Sequence, residues 1–248
     1  MARLKLIMTA VIILIGFYLV ILLYSVIIHE VSHGVAALFL GDRTAQYADR
    51  LNLNPAKHVD PFGSIVLPLI LFISQSPFLF GWAKPVPYNP YNLRNQKWGP
   101  TLVALAGPAS NLLLASLAAL IAKLLPLSYL AKVDIISRLY GVIGGEGSLF
   151  DRYSLLSEAL SGSLLSIFFG LLLIVILWNV VLACFNLLPI PPLDGSKLLY
   201  ALLPLKEQTK AFLEQYGLFI LIFVILFLSG PIGIFIGSVL KGFFTFTL

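Results

Sequence analysis

The chain of 248 residues contains only three histidines, and two of them stand in His29-Glu30-Val31-Ser32-His33. On a helix, residues four apart lie on one face, one turn from each other. Both imidazoles can then reach one divalent cation. Glu30 projects about 100° further round the axis, as 3.6 residues per turn requires. From there it can approach a water activated by the metal without becoming a ligand. Metal-assisted hydrolysis needs this division of labour: the cation acidifies water, and a carboxylate takes the proton and later returns it. A bland alternative has the two histidines and Glu30 as polar anchors at a membrane surface.

A catalytic zinc commonly takes three protein ligands and keeps one open position. The third must come from elsewhere in the chain. Asp194 stands out in the stretch Asn186 to Gly195, where Pro189, Pro191 and Pro192 forbid a regular helix at the end of an apolar run. Irregular backbone at membrane depth is tolerated only where protein or a wet cavity encloses it. Asp194 also precedes a helical pattern, Ser196 to Leu203, so it could be a helix N-cap instead. Beside a histidine pair that lacks a third partner, the ligand reading is preferred.

The elements that must position these residues are greasy. Apolar residues make up 59% of the chain and charged residues 11%, and the mean hydropathy is +0.98. Soluble domains carry about 25% charged residues, so the chain reads as an integral membrane protein. The net charge of +5 comes from basic residues scattered singly at the ends of apolar runs, as interfacial anchors beside the lipid bilayer are. No basic block is present, so nucleic acid is not expected as a partner. A single cysteine, Cys184, excludes a disulfide framework.

A spanning helix needs about 20 mostly apolar residues. Candidates run over Leu6–Leu40, Phe62–Trp82, Thr101–Leu125 and Leu164–Leu188, with a last stretch, Phe212–Leu248, divided by Ser229, Gly230 and Pro231 into two short spans. The first run is too long for a signal-peptide core and reads as a retained span. Alternation of Tyr47, Leu51 and Leu53 predicts a short strand or hairpin within residues 42–61. Residues 83–99 hold three prolines and favour extended backbone. Residues 126–161 hold a short surface helix around Tyr153–Leu160. The expected fold is an all-α polytopic membrane protein with about six transmembrane segments and a membrane-associated β-hairpin or strand after the first. One domain covers 1–248, its core about 25–205 and a C-terminal pair of spans about 211–248. Basic residues divide nine to seven between the two sides, so charge does not set the orientation.

HEVSHG and NLLPIPPLDG, with NPAKHVDPFG, GWAKPVP and ALAGPASN between them, resemble the site-2 protease family of intramembrane zinc metalloproteases, in particular its short prokaryotic branch without PDZ or CBS domains. The resemblance covers about residues 25–205. It implies one zinc ion held by His29, His33 and Asp194, with Glu30 as general base and acid. It further implies transmembrane protein substrates, a multi-pass location in a prokaryotic cell membrane, and a cleft open to the cytosol.

Two asparagines and the third histidine are candidates for supporting roles. Amide side chains donate and accept at once, which suits an unwound substrate backbone or an oxyanion. Asn186 and Asn111 are both candidates, with helix–helix hydrogen bonding as the alternative. His58 is a candidate for contact near the metal or with substrate, or else a loop histidine beside Asp60. Three rival functions compete with proteolysis of this kind. A catalytically inactive zinc-binding scaffold has no need of Glu30. An ion relay leaves the His-Glu-x-x-His spacing unexplained. A prenyl-protein processing protease would be expected to use a glutamate as third ligand.

Overall fold

The computed structural model describes residues 2–66, 70, 83–144, 149–160, 162–203 and 205–248. Its long elements are the helices α1 (Ala2–Phe39), α4 (Gly99–Leu124), α7 (Leu164–Asn186) and α9 (Glu207–Phe246), and each has a segment long and apolar enough to cross a membrane. Shorter helices are α2 (Thr44–Tyr47), α3 (Pro55–His58), α5 (Tyr129–Gly144), α6 (Leu149–Leu160) and α8 (Gly195–Leu202). The chain divides into two compact units. One comprises Met1–Leu22, Leu112–Val181 and Gly230–Leu248; the other comprises Leu23–Asn111 and Leu182–Ser229.

At 1.5 Å per residue the 38 residues of α1 extend about 57 Å, well beyond a hydrocarbon core of about 30 Å. The His29–His33 turn therefore sits toward one end of a helix that spans with length to spare. α7 is apolar on all sides and is buried accordingly: 61% of its apolar window is buried, against 6% for α9.

The second unit opens with the end of α1. Gly41 takes a left-handed φ of +111°, its N–H donates to Leu38 O, and the N–H of Asp42 donates to Ala37 O. This is a Schellman stop, which favours a residue without Cβ. Asp42 is thereby turned inward and fully buried. Its carboxylate accepts from the N–H and hydroxyl of Thr44, the N–H of Asn89 and Nδ2 of Asn92. Burial opposes ionisation of Asp42, but these hydrogen bonds outweigh it and hold the pKa below the ordinary carboxylate value. Arg94 N–H donates to Leu40 O at 2.9 Å. The end of α1 thus clamps residues 89–94, which lead into α4.

Three expectations need correction or fall outside the description. No strand occurs among the described residues of 42–61. Asn54 accepts from Ala56 N–H with Pro55 at the first helical position, which starts α3 instead. Tyr47 is 78% exposed, so the apparent alternation had no buried face behind it. The tight turn expected at Ser229–Pro231 takes the form of a kink one residue earlier: two helical segments of α9 meet at Leu228, whose φ of −121° and ψ of 15° are non-helical, beside Pro231, which cannot donate to Phe227 O. The span expected over Phe62–Trp82 lies mostly outside the described residues. The described residues hold four candidate spans, with the kinked α9 counted once, and six are not confirmed.

The first unit contains the helical hairpin α5–α6, longer than the single surface helix expected there. Arg138 on α5 pairs with Asp134 and donates to Leu155 O on α6. Lys132, 3% exposed, donates to Ala122 O, Lys123 O and Thr247 O, so one ammonium satisfies the last turn of α4 and the end of α9. Burial, reinforced by Lys123, pushes its pKa down.

Candidate metal centre

The site lies wholly in the second unit. α1 supplies His29 and His33, both buried, with their rings edge to face and centroids 4.7 Å apart. The break after α7 supplies Asp194. Its Oδ2 lies 3.1 Å from His29 Nε2 and 3.4 Å from His33 Nε2. One ligand atom from each of the three residues falls within 4.8 Å of the others. The alternative role of Asp194 finds no support in the geometry. Its backbone is helical (φ −59°, ψ −36°) and its side chain makes no capping bond to α8.

The far nitrogens of both rings are committed. His33 Nδ1 lies 2.8 Å from Val103 O on α4, and His29 Nδ1 lies 2.6 Å from Asn111 Oδ1, also on α4. A carbonyl oxygen only accepts, so each Nδ1 carries the proton and each Nε2 presents a lone pair. Asp194 Oδ2 is buried without a hydrogen bond. Three lone pairs therefore face one another. That arrangement is unfavourable by itself and suits a divalent cation, and two imidazoles with one carboxylate form a donor set that zinc accepts. His29, His33 and Asp194 would hold it.

Glu30 is half-buried on the neighbouring face of α1. Its Oε2 accepts from Val86 N–H at 3.1 Å. Val86 belongs to the extended stretch 83–89, which is pinned along its length: Lys84 N–H donates to His58 O, Arg50 Nη2 donates to Lys84 O, and Asn89 N–H donates to Asp42. Gly34 makes room for it, since a Cβ there would lie 2.7 Å from Val86 Cγ1. The prolines read from the sequence as extended backbone thus deliver one N–H to the carboxylate.

The remaining candidates fall into place differently. Asn111 is fully buried behind His29, with its Oδ1 toward the imidazole and its Nδ2 donating to Ser25 O at 3.3 Å. Asn186 donates to Leu182 O within its own helix. His58 is fully buried with Nε2 on Asn52 O, its backbone O accepts from Lys84 N–H of the 83–89 stretch, and it is not part of the metal-ligand cluster. Gly107 of α4 packs against the imidazole pair and carries no side chain that could announce it in the sequence. A Cβ at Gly107 would lie 2.5 Å from His33 Cε1 and Nε2 and 2.7 Å from His29 Cε1. Val103 O and Val86 N–H are backbone groups and carry no side-chain signature.

Apolar helices of membrane-spanning length, a buried donor set of two histidines and an aspartate, and an adjacent glutamate are together what a helical membrane metallopeptidase requires. The comparisons agree. The family model described as Peptidase family M50 matches residues 17–228. A Bacillus subtilis (strain 168) protein named "Putative zinc metalloprotease YwhC" is 36% identical over 220 residues, covering 87% of this chain and 82% of its own length. "Putative zinc metalloprotease Rip2" of Mycolicibacterium smegmatis (strain ATCC 700084 / mc(2)155) is 35% identical over 95 residues, 38% of this chain and 35% of its own. No solved structure matches significantly. The chain belongs to peptidase family M50, the site-2 protease family.

Proposed function

We propose that the chain is a multi-pass intramembrane zinc endopeptidase that hydrolyses peptide bonds in or near transmembrane segments of membrane-protein substrates. The observation that carries the reading is the convergence of His29 Nε2, His33 Nε2 and Asp194 Oδ2 beside Glu30 in a chain of spanning helices. One zinc ion per chain occupies the site, and the bacterial relatives' names support that metal. The protein resides in a prokaryotic cell membrane with its cleft toward the cytosol, as the family resemblance implies.

When bound, zinc supplies Lewis acidity toward water and the scissile carbonyl. Glu30 accepts a proton from the attacking water as its oxygen bonds to the carbonyl carbon. It then delivers that proton to the departing amide nitrogen as the C–N bond breaks. Val86 N–H fixes the orientation of the Glu30 carboxylate. Asn186, at the end of α7, is assigned to the substrate backbone: its Oδ1 accepts, and its Nδ2, which gives one of its two hydrogens to Leu182 O, has the other left to donate.

The test is Glu30→Gln in proteoliposomes, against a panel of single-span membrane proteins. The variant should keep zinc and lose cleavage. Undiminished cleavage would remove Glu30 from the chemistry, and a wild-type protein free of zinc after purification in zinc-containing buffer would remove the metal.

A further inference from the structure

Ser25, His29 and His33 are spaced four apart on α1, and Val103, Gly107 and Asn111 are spaced four apart on α4. Each set is one ridge of its helix. The ridges meet in antiparallel register: Asn111 contacts Ser25 O and His29 Nδ1, while Val103 O contacts His33 Nδ1. Gly107 lies between, where any Cβ would occupy the space of both imidazole rings.

We propose that the Val103–Gly107–Asn111 ridge of α4 is the template for the metal site, and that Asn111 is a positioning residue acting through its acceptor oxygen on His29. The inference rests on the proposed function, since it concerns how the ligands are presented to the metal. The direction of the Asn111 amide is set by Ser25. A backbone carbonyl can only accept, so it takes Nδ2–H and leaves Oδ1 facing His29. Oδ1 in turn can only accept, so Nδ1 of His29 keeps its proton and Nε2 keeps its lone pair. Val103 O does the same for His33 without a side chain. Pro108, one residue beyond Gly107, cannot donate to Ala104 O, which loosens the helical ladder where the imidazoles press against it.

The two halves of the Asn111 amide would serve different roles. If Asn111 served the substrate or the oxyanion, its donor group would matter and zinc affinity would not depend on it. As a positioning residue its acceptor matters, and a carboxylate can take its place as it does behind many metal-bound histidines.

The experiment compares wild type, Asn111→Asp and Asn111→Leu as full chains in detergent micelles. Zinc affinity is measured by competition with a chelating dye, and the visible spectrum is recorded after loading with cobalt(II). Loss of an outer partner of a ligating histidine weakens binding about 10–100-fold. Asn111→Leu should fall in that range with an altered cobalt spectrum, while Asn111→Asp should stay within a few-fold of wild type with the wild-type spectrum. Thermal unfolding without metal separates loss of fold from loss of ligand orientation. Should Asn111→Leu not fold, Asn111→Asp alone decides: binding as weak as a ligand variant overturns the proposal. Folded Asn111→Leu with wild-type affinity and spectrum overturns it as well. Absence of zinc from the wild type would count against the proposed function instead, so the two failures are distinguishable.

Discussion

Gly107→Ala adds one methyl group where the structure has no room for it. The new carbon would sit 2.5 Å from His33 Cε1 and Nε2 and 2.7 Å from His29 Cε1. Ordinary carbon contacts begin at about 3.5 Å, so something must move by about 1 Å. α4 cannot simply back away, because the acceptors for both rings, Val103 O and Asn111 Oδ1, ride on the same helix. Moving the helix drags the imidazoles, and moving the imidazoles breaks bonds of 2.8 and 2.6 Å. Overpacking of this kind costs about 1–3 kcal/mol, which converts to about 5- to 150-fold in affinity if it falls on the metal-bound state. Functional geometries tolerate displacements of only about 0.5 Å, so the metal-bound state should carry most of it.

The assay is zinc titration with a competing chelator, together with thermal unfolding in detergent with and without zinc. Gly107→Ala should bind zinc more weakly by that factor, and the zinc-induced rise in unfolding temperature should shrink. Gly16→Ala is the control, because a Cβ at Gly16 meets nothing within 4 Å on the same helix that carries the histidines. It should bind zinc as wild type does. An alanine at 107 with undiminished zinc affinity would refute the claim that α4 presses on the ligand pair.

Asp194→Ala should abolish zinc retention yet leave the metal-free unfolding temperature nearly unchanged, since this side chain caps nothing; full zinc content in the variant would return Asp194 to a structural role. Asp42→Asn should cost about 1–3 kcal/mol at neutral pH, because one of the donors around the carboxylate then faces an amide N–H. The folded pKa of Asp42 is depressed, so its contribution is complete above the unfolded value of about 3.9 and vanishes as pH falls through the lowered folded value. Unfolding curves of wild type and Asp42→Asn should therefore converge in acid; a constant gap would contradict the assignment. Lys132→Met should lower the unfolding temperature by several degrees, with about 1–3 kcal/mol for each carbonyl left dry, and leave zinc affinity untouched; unchanged unfolding would show that those carbonyls find other donors.

What could be read from the sequence was local and chemical. His29 and His33 announce themselves by spacing, and Asp194 by standing in a proline-rich break at the end of an apolar run. Membrane-spanning helices are legible because hydropathy integrates over many residues. The expectation of a strand within 42–61 failed because a three-residue alternation is weak beside a specific start signal, Asn54-Pro55, that nucleates a helical turn. Ser229-Gly230-Pro231 marked the break in the last apolar stretch to within a residue, since proline removes a helical donor, but not its form: two helical segments meet at a kink at Leu228. Gly107 and Asn111 were visible as residues but not as partners, because their role exists only once α1 and α4 are known to run antiparallel with their four-residue ridges in register. Backbone groups such as Val103 O and Val86 N–H have no sequence signal at all.

The stability of this region is tied to its chemistry. Burying two imidazoles, an amide and a carboxylate among apolar helices is unfavourable unless each polar atom finds a partner. Ser25 O, Asn111 Oδ1 and Val103 O meet the demands on one side of the imidazole pair. Val86 N–H meets one of the demands of Glu30. What is left unmet is concentrated at one point, where Asp194 Oδ2 lies buried without a hydrogen bond opposite two Nε2 lone pairs. A cation that binds there stabilises the folded chain by mass action, about 2.7 kcal/mol at a hundredfold excess over its dissociation constant. The helices are thus arranged so that this deficit in the packing coincides with the place where chemistry is to occur. Metal occupancy and the stability of this unit should rise and fall together.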